Sequence, residues 1–269
     1  MPGARPRKST RRKPWRDMTP EERRAFTMFT LNLDHVVKLR GSPEFRACYE
    51  SADLVSADGW PIVWHLRRRG VALERTTGAD LTLPLCERAA AEGIAIFVIG
   101  PQEHVQKRAL AELSERFPRL RIAGCDSAII SPDDAPTMDD LARRVRESGA
   151  RLCFVCLGAP KQEFVASALK ERCPGVGFVC VGAALDFISG AVKRAPRWVQ
   201  NLGMEWAWRL TSDPLRLAPR YWRCAEVFVL IALRRLPLAF SAQPVDVFAP
   251  AGGLGHPTAG GCLKGFIGG

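Results

Sequence analysis

The sequence predicts an α/β protein: a parallel sheet with helices on both faces, followed by a helical C-terminal appendage. Three observations carry this expectation. From about residue 25 to 192, short apolar runs alternate with helix-like segments. Three of those runs are apolar without alternation, as strands buried on both faces are, and each ends on glycine. Beyond residue 193 the chain turns rich in Trp and Arg, several at helical spacing.

Residues 1–24 are basic, Pro- and Arg-rich and aperiodic, and are expected to form a disordered tail. The α/β body follows over 25–192. AFTMFTLNL is its first strand and precedes a polar helical pattern. ADLVSAD is the next strand, leading into a helix around Pro61–Arg69. AIFVIG precedes the helix EHVQKRALAELSERF, RLCFVCLG precedes KQEFVASALKERC, and VGFVCVGAALD closes the series. The appendage spans 193–240, where Trp198, Leu202 and Trp206 share a helical face, as do Arg216 and Arg220. Residues 241–269 are Gly/Pro-rich and are expected to be a second disordered tail.

The chain of 269 residues has a formal net charge of +11, held at its ends. Residues 1–24 and 193–235 each carry nine Lys or Arg against three acids, so the body between them is close to neutral. Such ends suit an anionic membrane surface or a polyphosphate as readily as RNA. A neutral body argues against nucleic-acid binding, although a non-catalytic nucleotide- or RNA-binding protein using its basic ends is the rival reading. The longest apolar run, Val227 to Leu233, falls far short of the roughly 20 residues of a membrane span. With no apolar signal segment behind the basic start, a soluble or membrane-surface protein is expected. Nine cysteines make no zinc pattern: Cys153 and Cys156, three apart on one strand, point to opposite faces.

Chemistry is expected at the carboxyl edge of the sheet, marked by Gly100, Gly158 and Gly182, where open α/β sheets bind ligands. A nicotinamide site is excluded by register, because the only GxG near a strand, Gly175-Val-Gly177, precedes that strand. Asp58, after an apolar strand and before Gly59, is placed to act as a general base or as a helix N-cap. Thr30 and Asn32 alternate with apolar residues at the end of the first strand and could meet a sugar. Lys161, Gln162 and Glu163 open a helix, a natural anion site, though Glu163 equally suits the helix dipole. Asp186 could bond a ribose hydroxyl. No Asp-x-Asp exists in the chain to hold a metal on a nucleotide diphosphate, so arginines are expected to take that charge, with no metal and no cofactor.

FTLNLDHVV, SADGWPIVW, ERTTGADL, LGAPKQE, VGAALDFISGAVKRAPRW and EWAWRLTSDPLRLAPRY resemble, in order and spacing, the motifs of the WecG/TagA/CpsF glycosyltransferases over about residues 26–223. The resemblance implies a Rossmann-like core, a membrane-recruiting appendage and metal-free, inverting transfer. The transfer would take an N-acetylmannosamine-like sugar from UDP to a polyprenyl-diphosphate-linked acceptor. By motif, it implies Asp58 as base, Thr30 and Asn32 beside the sugar, Gln162 in the pocket and Asp186 at the nucleotide. Arg209, Arg216 and Arg220 would reach the diphosphate, and Arg75 and Asp80 belong to the R-x-x-G-x-D segment. One departure is AGCDSAII, which lacks the aromatic the family carries there. A cytoplasmic enzyme at the inner face of the cell membrane follows from the resemblance, with an anionic surface as partner and homo-oligomerisation left open.

Overall fold

A computed structural model of the chain describes residues 25–71, 73–127, 131–233, 241–243 and 262–264; the side chains of residues 201, 212, 216, 241–243 and 262–264 lie outside the description. The tail 1–24 and most of 241–269 therefore fall outside the described residues.

Six parallel strands form the sheet: β1 (Phe26–Leu31), β2 (Leu54–Ala57), β3 (Ala95–Ile99), β4 (Arg121–Asp126), β5 (Leu152–Val155) and β6 (Gly177–Cys180), in the order β4-β3-β5-β6-β1-β2. The three glycine-ended strands β3, β5 and β6 lie side by side, each paired in parallel with the next. Their side chains feed two cores, one on each face. Cys153 and Val155 of β5 belong to one core cluster, while Leu152, Phe154 and Cys156 belong to the other. Two short strands, β7 (Ser241–Gln243) and β8 (Cys262–Lys264), extend the sheet antiparallel beyond β2.

Capping residues start the helices that the periodicity only outlines. Asn32 accepts from the His35 amide to open α1 (Leu33–Gly41), and Ser42 accepts from Phe45 to open α2 (Pro43–Glu50). The helix after β2 is α3 (Trp60–Arg67). Thr77 caps α4 (Gly78–Glu92), a helix absent from the sequence expectation, in which Pro84 acts as an apparent breaker. Here the tertiary setting outweighs that signal: Leu81, Cys86, Ala89 and Ala90 of α4 pack into the second core. Also unanticipated are β4 and α6 (Ala135–Glu147). The remaining body helices are α5 (Glu103–Arg116), α7 (Lys161–Arg172) and the short α8 (Ala184–Ile188).

The appendage folds as α9 (Arg197–Asn201), α10 (Glu205–Ser212) and α11 (Pro214–Ala232). It is docked on the body. Val227 and Ile231 of α11 are buried in the same core cluster as Val36 of α1 and Ile62 of α3. Phe228 packs on Trp60 and Trp64 of α3, with ring centroids 6.2 and 5.6 Å away. Gly203, at φ +72°, approaches so closely that a Cβ there would meet the Trp60 Cβ at 2.9 Å. On this face α11 therefore supplies part of the core that the body helices α1 and α3 share. Among the described residues no helix is long and apolar enough to cross a membrane.

Candidate active site

The sequence-predicted polar residues lie at or beyond the carboxyl ends of the four neighbouring strands β5, β6, β1 and β2. Asp58 follows β2 directly, and its amide bonds the Leu31 carbonyl at the end of β1, 2.7 Å away. The segment from Arg75 to Thr77 is held beside it. The Thr76 amide donates to Ala57 at 2.9 Å, and the Ser56 hydroxyl donates to the Thr76 carbonyl at 3.0 Å. Asp58 caps nothing in this arrangement: the residue preceding α3 is Gly59, with no side-chain capping bond. Burial pushes the Asp58 carboxyl up to about 6, against the pull of Arg209 and Arg75, while Glu205 and Asp80 push it further up.

Three arginines from three segments meet around Glu205, and two of them, Arg75 and Arg209, act on the Asp58 carboxyl. Glu205 of α10 lies 3.6 Å from Arg75, 3.6 Å from Arg194 and 3.8 Å from Arg209. Asp80 lies 3.6 Å from Arg75 and accepts from Arg194 at 2.6 Å. Burial alone would raise the Asp80 carboxyl, but its bonds from Arg194 and Thr77 outweigh burial and hold it below the usual value. Arg194 and Arg209 also sit over the Phe187 ring, 5.8 and 5.0 Å from its centroid. Body and appendage are thus joined by charge at the point where Asp58 lies. Arg194 and Glu205 were absent from the sequence-predicted site. Arg194 lies in VGAALDFISGAVKRAPRW and Glu205 opens EWAWRLTSDPLRLAPRY, two stretches whose spacing does not connect them; only the fold brings them together.

The other predicted residues divide. Asp186 in α8, half-buried, is raised by burial and also feels Arg209, so it belongs to the same neighbourhood. Thr30 is 4% exposed in β1, and the Asn32 side chain is engaged in capping α1. Gly100 and Gly182 adopt left-handed φ of +69° and +55°, as expected of strand-end glycines, whereas Gly158 does not. Lys161 opens α7. Gln162 is 3% exposed, and its amide is used internally: Oε1 accepts from the Gly182 amide at 3.1 Å and Nε2 donates to Glu163 at 2.8 Å. Arg220 stands apart from the cluster, 3.1 Å from Asp34 on α1, an aspartate that Lys38 also pairs. The side chain of Arg216 lies outside the described residues.

An acid poised near neutrality beside converging guanidiniums can accept a proton from a hydroxyl while the cations hold an anionic leaving group. A family model described as the glycosyl transferase WecG/TagA/CpsF family matches residues 15–240.

Proposed function

The chain belongs to the WecG/TagA/CpsF glycosyltransferase family, and from that premise we propose that it moves an N-acetylhexosamine-type sugar from UDP to a polyprenyl-diphosphate-linked acceptor, with inversion and without a metal. The observation that carries this reading is the Asp58 carboxyl, raised to about 6 next to Arg75 and Arg209. In the proposed step the acceptor hydroxyl attacks the anomeric carbon and passes its proton to Asp58. The bond from that carbon to the UDP oxygen breaks as the new glycosidic bond forms. The leaving diphosphate carries negative charge, and Arg75, Arg194 and Arg209 stabilise it, replacing their present carboxylate partners Glu205 and Asp80. Asp186 is the candidate contact for the nucleotide, and the strand-edge backbone at Gly100, Gly158 and Gly182 completes the donor site.

UDP release from a UDP-sugar in the presence of a lipid-diphosphate acceptor tests the reading. We expect turnover that survives exhaustive chelation, since arginines hold the diphosphate. Loss of activity with EDTA and its recovery with Mg²⁺ or Mn²⁺ would remove the arginine account.

The lipid acceptor calls for a protein that works at a membrane surface. The appendage leaves Leu215 91% exposed, Trp222 78% and Trp198 67%, with Arg197 and Arg223 exposed among them. Exposed Trp and Leu beside Arg suit the interface of an anionic bilayer, which accepts apolar rings and attracts cations. Replacing Trp198 and Trp222 together by Ala should weaken binding to anionic vesicles by about tenfold or more. UDP affinity should stay unchanged. Co-sedimentation with vesicles of matched neutral and anionic composition reads the result.

A further inference from the structure

We propose that Glu163 is a positioning residue: its carboxyl fixes the side-chain amide of Gln162, which in turn holds the Gly182 amide at the carboxyl edge of the sheet. A glutamate in the first turn of a helix is ordinarily explained by the helix dipole and stays in water. Glu163 does not: it is 0% exposed, and its Oε2 has no hydrogen-bond partner. Burying a carboxyl with an unsatisfied oxygen costs stability, and an apolar side chain of similar size would avoid that cost. The return on Glu163 must therefore be sought in what it orients.

What it orients is set by the polarity of one amide. Gln162 Oε1 accepts from the Gly182 N–H at 3.1 Å, and Gln162 Nε2 donates to Glu163 Oε1 at 2.8 Å. Rotating the amide by half a turn would set N–H against N–H at Gly182 and oxygen against oxygen at Glu163. The two bonds thus select one orientation jointly. Gly182 ends the β6 segment and leads into α8, which carries Asp186. Glu163 consequently acts on the donor side of the site through two intermediaries, without touching a ligand.

The groups facing Glu163 come from α1, α2 and β6. His35 Nδ1 is 4.0 Å from Oε1 and 2.5 Å from the Tyr49 hydroxyl. Cys48 and Cys180 lie nearby, and Asp34 and Lys38 act at longer range with opposite signs. Burial lowers His35 to about 3 and raises Glu163 to about 7, so no firm ion pair forms between them at neutral pH. The Gln162 bond needs only an accepting oxygen on residue 163. It survives either protonation state, and Glu163→Gln should preserve it.

The proposal rests on the donor-site reading for its kinetic readout alone. The test uses the full chain with Glu163→Leu, Glu163→Gln and Gln162→Leu, followed by amide hydrogen exchange at Gly182, thermal unfolding, and UDP-sugar kinetics. Glu163→Leu removes the unsatisfied Oε2 but also takes the acceptor from Gln162 Nε2, so these two effects on Tm oppose each other. Exchange at Gly182 should speed about tenfold or more, and KM for the donor should rise more than kcat falls. Glu163→Gln should restore wild-type exchange and KM, and Gln162→Leu should reproduce the fast exchange. If Glu163→Leu does not fold, Gln162→Leu and Glu163→Gln carry the test by the same exchange readout. Unchanged Gly182 exchange in Gln162→Leu, or a fall in Tm with unchanged exchange in Glu163→Leu, would overturn the proposal. Absence of donor turnover in the unaltered chain would count against the proposed transfer reaction instead, leaving the exchange result to stand.

Discussion

Asp58→Asn should cut sugar transfer by about 10²-fold or more, the usual scale for losing a general base, while UDP still binds. The carboxyl sits at the end of β2, and its amide rather than its side chain is what ties the strand ends together. Asn keeps the shape and the backbone bond but cannot take a proton. The pH profile supplies an independent check. Because burial lifts Asp58 to about 6, the ionised base of the free enzyme is lost as pH falls through 6, so kcat/KM should rise across that region and level off above it. Asn should abolish this limb. The stability effect runs the other way. With its pKa raised above the ordinary 3.8, Asp58 favours the folded state fully only below that ordinary value, and this contribution is lost as pH rises through about 6. An uncharged Asn escapes the loss, so the variant should be at least as stable as the parent at pH 7. A variant that is inactive because it unfolds would show that Asp58 is structural, and one with near-normal turnover would remove Asp58 as the base.

Much of the architecture could be read from the sequence because the interior strands state it twice, in composition and in punctuation. IFVI, LCFV and GFVC have no polar face, which only a strand covered on both sides can tolerate, and β3, β5 and β6 lie side by side. Cys153 and Cys156 do point into different cores. The elements that escaped prediction lack this double signal. β4 is the edge strand beside β3 and interleaves Arg121, Gly124 and Asp126 with Ile122, Ala123 and Cys125; mostly half-buried or exposed, it has no continuous apolar run to mark it. α4 contains Pro84, and local propensity argued against a helix that its burial stabilises.

The site was legible in part for a similar reason. Asp58 and the glycines sit at strand ends, and strand ends can be found by pattern. The arginine cluster joins residues 75, 80, 194, 205 and 209, which no periodicity connects. Helical spacing correctly places Arg216 and Arg220 on one helix but says nothing of what that helix packs against. α11 lies along α1, and Arg220 accordingly meets Asp34.

Arg209→Ala should weaken UDP binding strongly, whereas Arg220→Ala should not. A charge-assisted bond to phosphate contributes roughly 1.5–3 kcal/mol, equivalent to about 10- to 150-fold in affinity. Arg209 stands with Arg75 and Arg194 around Glu205 and lowers the Asp58 carboxyl through its charge, so it is in place to lose that amount. Arg194→Ala should fall in the same range. Arg220 is engaged with Asp34 on α1, and its removal should loosen the seating of α11 and lower Tm while leaving UDP affinity within about twofold. Point substitutions serve better here than cutting the chain near Val192. Truncation would strip Val227 and Ile231 from the core they share with Val36 and Ile62, and lost activity would then report unfolding. Titration calorimetry with UDP on the three single variants separates the cases. Equal losses at Arg209 and Arg220 would mean that α11 leaves Asp34 when the donor binds, and that the appendage closes over the diphosphate. An unchanged affinity in Arg209→Ala would place the diphosphate away from Glu205 and remove the cluster from the reaction.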